Sequence, residues 1–181
     1  MSDDSERIEQ LERRVQRLED HIALLQALAT YGPSVDSMEL NQAVDLWAPD
    51  GIYDLGDGFE EVDSGHGHVQ FNGQSEIREM LHGPIHWDKY VRDGCAHDMS
   101  LPLLGISGDR AVGIGYHTVF AYDSKGARAE RLAASRWDWK RQASGEWKAV
   151  RRTHRLLDGR EGGRALLKDA LEDIKKLSAP Q

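Results

Sequence analysis

The sequence predicts an α+β domain, and three observations predict it. Apolar residues recur at helical spacing at both ends of the chain and in two short stretches near the front. From about residue 95 the pattern changes to period two, and turn residues divide the alternating stretches into a meander. Helices followed by antiparallel strands, in a chain of 181 residues, suit one domain with a real hydrophobic core and an appendage.

The first element spans residues 6–28, where Ile8, Leu11, Val15, Leu18, Ile22 and Leu25 alternate at spacings of three and four. This is a heptad seam flanked by Glu, Arg and Gln. Ile8 to Leu18 either packs on a helix of another subunit or folds back on its own domain. From Ile22 the helix enters the core, and Gly32-Pro33 is expected to stop it, because proline lacks an amide donor and disfavours helix at the residue before it. Leu40, Val44, Leu46 and Trp47 suggest a second helix ended by Pro49-Asp50-Gly51, with Ile52 to Leu55 a short strand. Residues 56–68 read as a loop, His68 to Phe71 as a strand, and Ile77, Met80 and Leu81 as a third helix ending near Gly83-Pro84. Four strands follow, at 96–106, 111–122, about 131–140 and 147–157, and a charged helix from Glu161 to Leu177 closes the chain. Residues 1–18 are thus a helical extension, 19–160 the main domain and 161–181 a terminal helix and tail.

Composition narrows the function. The formal net charge of -8 carries no basic stripe, which argues against nucleic acid. No apolar run is long enough to span a bilayer, and the acidic, polar start has no leader character. A single cysteine, Cys95, excludes an internal disulfide framework and fits a reducing, cytoplasmic setting.

Few residues stand out for chemistry. Tyr31 and Asp36 lie five residues apart around Gly32-Pro33, and His97 heads an apolar strand with Met99, Leu101 and Leu103 on its face. A nearby carboxylate would fix the tautomer of such a histidine and make it a usable general base. In the last strand Arg152 and His154 share a face with Val150 and Leu156, so they need partners if that face is inward. Gly113 and Gly115 beside His117 leave a strip without side chains, where a ligand or a neighbouring backbone can approach. His66 and His68 lack a following Glu at metal-site spacing, and His82 and His86 are separated by a helix break, so no metal site is expected. His21 reads as a surface residue and Cys95 as a small core residue.

The pattern resembles the SnoaL-like branch of the nuclear transport factor 2-like superfamily. The resemblance rests on Tyr31-x4-Asp36, Leu46-Trp47-Ala48-Pro49-Asp50-Gly51, Phe71-Asn72-Gly73-x3-Ile77, Ala96-His97, Ser107-Gly108-Asp109-Arg110-Ala111 and Gly145-Glu146-Trp147-Lys148 to Arg152, in that order. Within the superfamily the chain looks most like the group of scytalone dehydratase, bile-acid 7α-dehydratase and lindane dehydrochlorinase. The resemblance implies a cone-shaped fold, a curved and mostly antiparallel sheet wrapped by helices around a pocket, in a homo-oligomer (trimer or dimer). It also implies an Asp36–His97 pair that removes a proton without metal or organic cofactor, with Tyr31 and Arg152 beside it. Gly115-Tyr116-His117 echoes scytalone dehydratase, whereas Asp123, Ser124 and Ser135 stand near positions where that enzyme has His and Asn.

The expected function is a cofactor-independent, dehydratase-like lyase acting on a small, largely apolar molecule. The expected catalytic residues are Asp36, His97, Tyr31 and Arg152, with Trp47, Tyr53, Met80, Trp87, His117, Ser135 and His154 around the substrate. An isomerase or a retro-aldol-type carbon–carbon lyase could use the same pair, and polyketide cyclisation would depend chiefly on Asp36. The rival class is a ligand-binding or assembly module without catalysis.

Overall fold

Among the described residues seven strands form one curved, unclosed sheet. The computed structural model describes residues 2–57 and 67–178. The elements are α1 (Ser2–Asp36), α2 (Leu40–Val44), β1 (Trp47–Gly56), β2 (Val69–Asn72), α3 (Gly73–His82) and α4 (Pro84–His86), the last running into a π-helical turn (Trp87–Val91). Then come β3 (Cys95–Met99), β4 (Leu103–Ser107), β5 (Arg110–Asp123), β6 (Gly126–Arg141), β7 (Trp147–Leu156) and α5 (Glu161–Leu177). The sheet runs in the order β2-β1-β7-β6-β5-β3, with β4 also paired to β5. Strands β5, β6 and β7 pair antiparallel, while β1 joins β7 in parallel, in the mostly antiparallel sheet that the resemblance implies.

The core lies between α1 and the concave sheet face. Leu24, Leu28, Tyr31 and Val35, one stripe of α1, are buried with Trp47, Tyr53, Trp137, Trp139 and Ala149. Tyr31 meets Trp47 and Trp137 edge-on, with ring centroids 5.9 Å and 5.7 Å apart, and this favoured aromatic geometry fixes the helix over the sheet. On the convex face α5 covers Val112 and Ile114 with Ala170 and Ile174. Gly105 makes that approach possible, since a Cβ there would sit 2.9 Å from the Ile174 Cα.

Three expectations are corrected. Gly32-Pro33 does not stop α1, which runs on to Asp36. The Pro33 ring lies on the exposed side, and the last turn is held by burial of Ser34 and Val35 and by the bond from Ser37 N–H to the Pro33 carbonyl at 3.0 Å. The stop is Met38, whose φ of 61° is the left-handed conformation common just past a helix end. Second, residues 96–106 are two strands, broken at Ser100-Leu101-Pro102, and Leu101 and Leu103 face solvent instead of sharing the His97 face. Third, Trp47 to Gly51 belong to β1 and not to a helix end, with register slipping between Trp47 and Ile52. The turn at 87–91 had no sequence signal.

Candidate active site

The site grows from one turn of α1. Gly32 and Asp36 are one helical turn apart and share a face. At Gly32 a Cβ would lie 2.1 Å from the His97 carbonyl oxygen, so glycine alone lets β3 cross this close. The crossing places the His97 amide N–H 2.8 Å from Asp36 Oδ2 and the ring Nδ1 2.6 Å from Oδ1. Cys95, two residues earlier on the same strand face, donates Sγ–H to Oδ1 at 3.2 Å. The carboxylate therefore receives three donors.

That geometry sets the proton positions. Burial pushes the Asp36 carboxyl up, but the bonds from His97 and Cys95 outweigh it and hold the group below its usual range. Burial lowers the His97 pKa, Asp36 opposes that, and the charges of Arg131 and Arg152 add to the lowering. His97 is thus neutral at pH 7. Nδ1–H points at Asp36, and Nε2 keeps the lone pair of a base. The Cys95 thiol is pushed up to about 12, first by burial and then by its bond to Asp36. Asp36, Cys95 and His97 bring three potential metal ligands within 4.8 Å of one another. These atoms already bond to one another.

His97 lines a cavity of about 160 Å³. Its wall is mostly apolar, from Tyr31, Tyr53, Leu55, Phe71, Met80, Leu81, Gly83, Pro84 and Tyr90, with His86, His117 and Arg131 as the other polar groups. The His97 ring stacks on His117 at 5.6 Å, and His117 Nδ1 lies 3.4 Å from His154 Nε2. His86 is lowered to about 4, by burial first and by His97 second. Burial and then the Arg152 charge hold His117 and His154 well below their ordinary value.

A model of the SnoaL-like domain family matches residues 16–153, most of the chain. The chain belongs to that family. Its likeness to an NTF2-like protein of cystatin-like fold from Novosphingobium aromaticivorans is 33% in identity, covering 87% of this chain and 94% of that one, with a TM-score of 0.77. A hexachlorocyclohexane dehydrochlorinase from Novosphingobium barchaimii is similar in fold at 17% identity, with coverages of 80% and 90% and a TM-score of 0.63. A putative aromatic ring hydroxylase from Novosphingobium aromaticivorans shares the fold at 23% identity, with coverages of 77% and 90% and a TM-score of 0.58. No curated protein matches the chain.

In this SnoaL-like domain the expected residues separate into two groups. Tyr31, Tyr53, Met80, His97 and His117 line the cavity, and Asp36 binds His97 from behind. Trp47, Ser135, Arg152 and His154 lie fully buried outside the lining, and Trp87 is 45% exposed on the surface. Arg152 is the main displacement. Its guanidinium sits 4.1 Å from the Tyr31 ring centroid, 4.5 Å from Trp137 and 4.7 Å from Tyr53, with Nε bonded to Ser135 Oγ at 3.2 Å. It lies beneath the cavity floor. The Gly113–Gly115 strip is filled by neighbouring chain, with Leu104 against Gly113 and Ser100 against Gly115.

Sequence reading missed Cys95 as a donor, and Leu55, Phe71, His86, Tyr90 and Arg131 as wall residues. Arg131 was findable, since it has the strand parity of Ser135 and Trp137. His86 and Tyr90 sit on the unforeseen α4 and π-helical turn. His21 is exposed as expected, His82 is exposed too, and His68 pairs with Asp54 at 3.1 Å, while His66 lies outside the described residues. Among the described residues no helix is long and apolar enough to cross a membrane.

Proposed function

We propose that the protein is a general-base lyase for a small, ring-sized, largely apolar substrate. One observation carries the proposal: a neutral histidine, backed by a carboxylate 2.6 Å from Nδ1, faces an apolar cavity. The volume of about 160 Å³ is close to the roughly 150 Å³ apolar cavity that holds a benzene ring in another protein. His97 Nε2 would take a proton from a carbon next to an activating group. The C–H electron pair becomes the new double bond, and the leaving group departs with its own bonding pair. Asp36 then faces a charged imidazolium, whose positive charge it stabilises at short range.

The cavity suggests two refinements. Arg131 lines it and Arg152 does not, so Arg131 is the better group to balance negative charge on the substrate. The Tyr31 hydroxyl, which interacts with that of Tyr53, would donate to a carbonyl or leaving oxygen. The Novosphingobium barchaimii dehydrochlorinase has a similar fold, and elimination from a halogenated ring is a reaction of the proposed class.

The test uses single-ring β-hydroxy and β-halo compounds in deuterated water, followed by NMR. A lyase releases water or halide, an isomerase returns the proton, and a carbon–carbon lyase gives two fragments. Substituting His97→Gln should lower turnover by about 10²–10⁴-fold. Tight binding without exchange or turnover, or turnover indifferent to His97→Gln, would instead support a binding module.

A further inference from the structure

The first half of α1 takes no part in the cavity or the core. Ile8, Leu11, Val15, Leu18 and Ile22 are between 49% and 64% exposed, yet they form one continuous apolar stripe. The family match begins at residue 16, so Ile8, Leu11 and Val15 lie outside the shared domain. We infer that Ile8–Ile22 of α1 pairs with the same segment of a second copy as a parallel, in-register, two-stranded coiled coil.

The identity of the stripe residues selects that occupant. Written as heptads, Ile8, Val15 and Ile22 are the a positions, and Leu11 and Leu18 are the d positions. β-Branched residues at a with leucine at d favour two parallel strands over three or four. The flanking charges agree. The g positions are Arg7 and Arg14, and the e positions are Glu12 and Glu19. A parallel pair sets each g residue against the e residue five further on in its partner, joining Arg7 to Glu12 and Arg14 to Glu19. An antiparallel pair would set arginine against arginine and glutamate against glutamate.

The attached domain leaves the seam free. Residues 4–19 of α1 are exposed, and the helix first meets its own domain at Asp20, which bonds Arg141 and Trp147. Asp20 and Leu24 occupy f and c positions, roughly 170° and 130° around the helix from the a/d seam at 100° per residue. Each copy would therefore carry its domain on the outer side of the pair. A free helix of about 15 residues is marginal in water, but here the domain already holds the C-terminal half of α1 in place. Nucleation is done before the partner arrives.

Sedimentation of the full chain over two decades of concentration should show a monomer–dimer equilibrium. The double substitution Leu11→Glu with Leu18→Glu should abolish the dimer while leaving tryptophan-monitored thermal unfolding of the domain unchanged at concentrations where the parent chain is monomeric. Charge reversal at Arg14→Glu should weaken the dimer about tenfold, and adding Glu19→Arg should restore it. Under mild oxidation Ile8→Cys should form a disulfide dimer whose peptide map joins residue 8 to residue 8. A monomer at every concentration would overturn the inference. So would a dimer that survives the two glutamates, which would move the contact to the exposed Tyr116, Tyr122 and Leu132 on the sheet. Linkage of residue 8 to residue 22 in an Ile8→Cys with Ile22→Cys protein, without an 8–8 link, would overturn the parallel register.

Discussion

Mild acid should destabilise this domain through its histidines, before its carboxylates begin to protonate. His86, His117 and His154 are buried and held below their ordinary value, His86 at about 4. In the unfolded chain each returns to a pKa of about 6.5, so at pH 5.5 the unfolded state binds about 0.9 proton at His86 that the folded state does not, and His117 and His154 act in the same direction. Because the unfolded state binds more protons, stability falls as pH falls. For His86 the slope is about 1 kcal/mol per pH unit, and His117, His154 and His97 act in the same direction. The effect fades above about pH 7.5, reaches about half its full slope near pH 6.5 and accumulates as the pH drops toward 4. The lowered pKa values of Asp20, Asp36 and Asp54 act in a separate window, where stability is lost only below their unfolded value near 4. Against a typical total of 5–15 kcal/mol, the loss between pH 6.5 and 5 is large. Urea titrations at fixed protein concentration, read by the fluorescence of the buried Trp47, Trp137, Trp139 and Trp147, would measure it. His86→Phe should lower the slope by about 1 kcal/mol per pH unit. A stability flat from pH 7 to 5, falling only below 4, would refute the reasoning.

Two further substitutions probe the crossing of α1 and β3. Alanine exceeds glycine in helix propensity by about 1 kcal/mol, yet Gly32→Ala should lower the melting temperature, because its Cβ would meet the His97 carbonyl; a higher melting temperature would mean that the crossing is looser than described. The single cysteine offers a second probe. With its thiol pushed up to about 12, Cys95 should present on the order of 10³-fold less thiolate at pH 8 than an ordinary cysteine. Alkylation should be slow and should quicken in Asp36→Asn; rapid labelling of the native protein would contradict the bond to Asp36.

Much of this was legible in the residues, and the failures share a cause. The helical spacing of α1, the period-two strands after residue 110 and the shared parity of Arg152 and His154 are local patterns, and these survive into the fold. Pro33 was misread because its cost is local, whereas what offsets it is tertiary: burial of Val35 and the grip of Asp36 on His97. Gly32 was read as a breaker, yet its role is a contact with a strand 65 residues away in sequence. Strand parity also has a limit. It grouped Arg152 with His154 on one face without saying which way that face points; the rings of Tyr31 and Tyr53 close over Arg152, and Arg131 on the neighbouring strand reaches the cavity instead. Asp36 and His97 could be joined from sequence only through the family resemblance, because no spacing rule links a helix end to a strand 61 residues later.

The central claim is a neutral His97 whose Nδ1–H is held by Asp36, and it can be tested before any substrate is known. Nitrogen NMR of the histidine rings, assigned with His97→Gln, reports tautomer and titration together. The account predicts a protonated Nδ1 and a bare Nε2 at pH 7, with a midpoint below 6.5 that drops further in Asp36→Asn. A ring charged at pH 7, a proton on Nε2, or a midpoint unmoved by Asp36→Asn would contradict it.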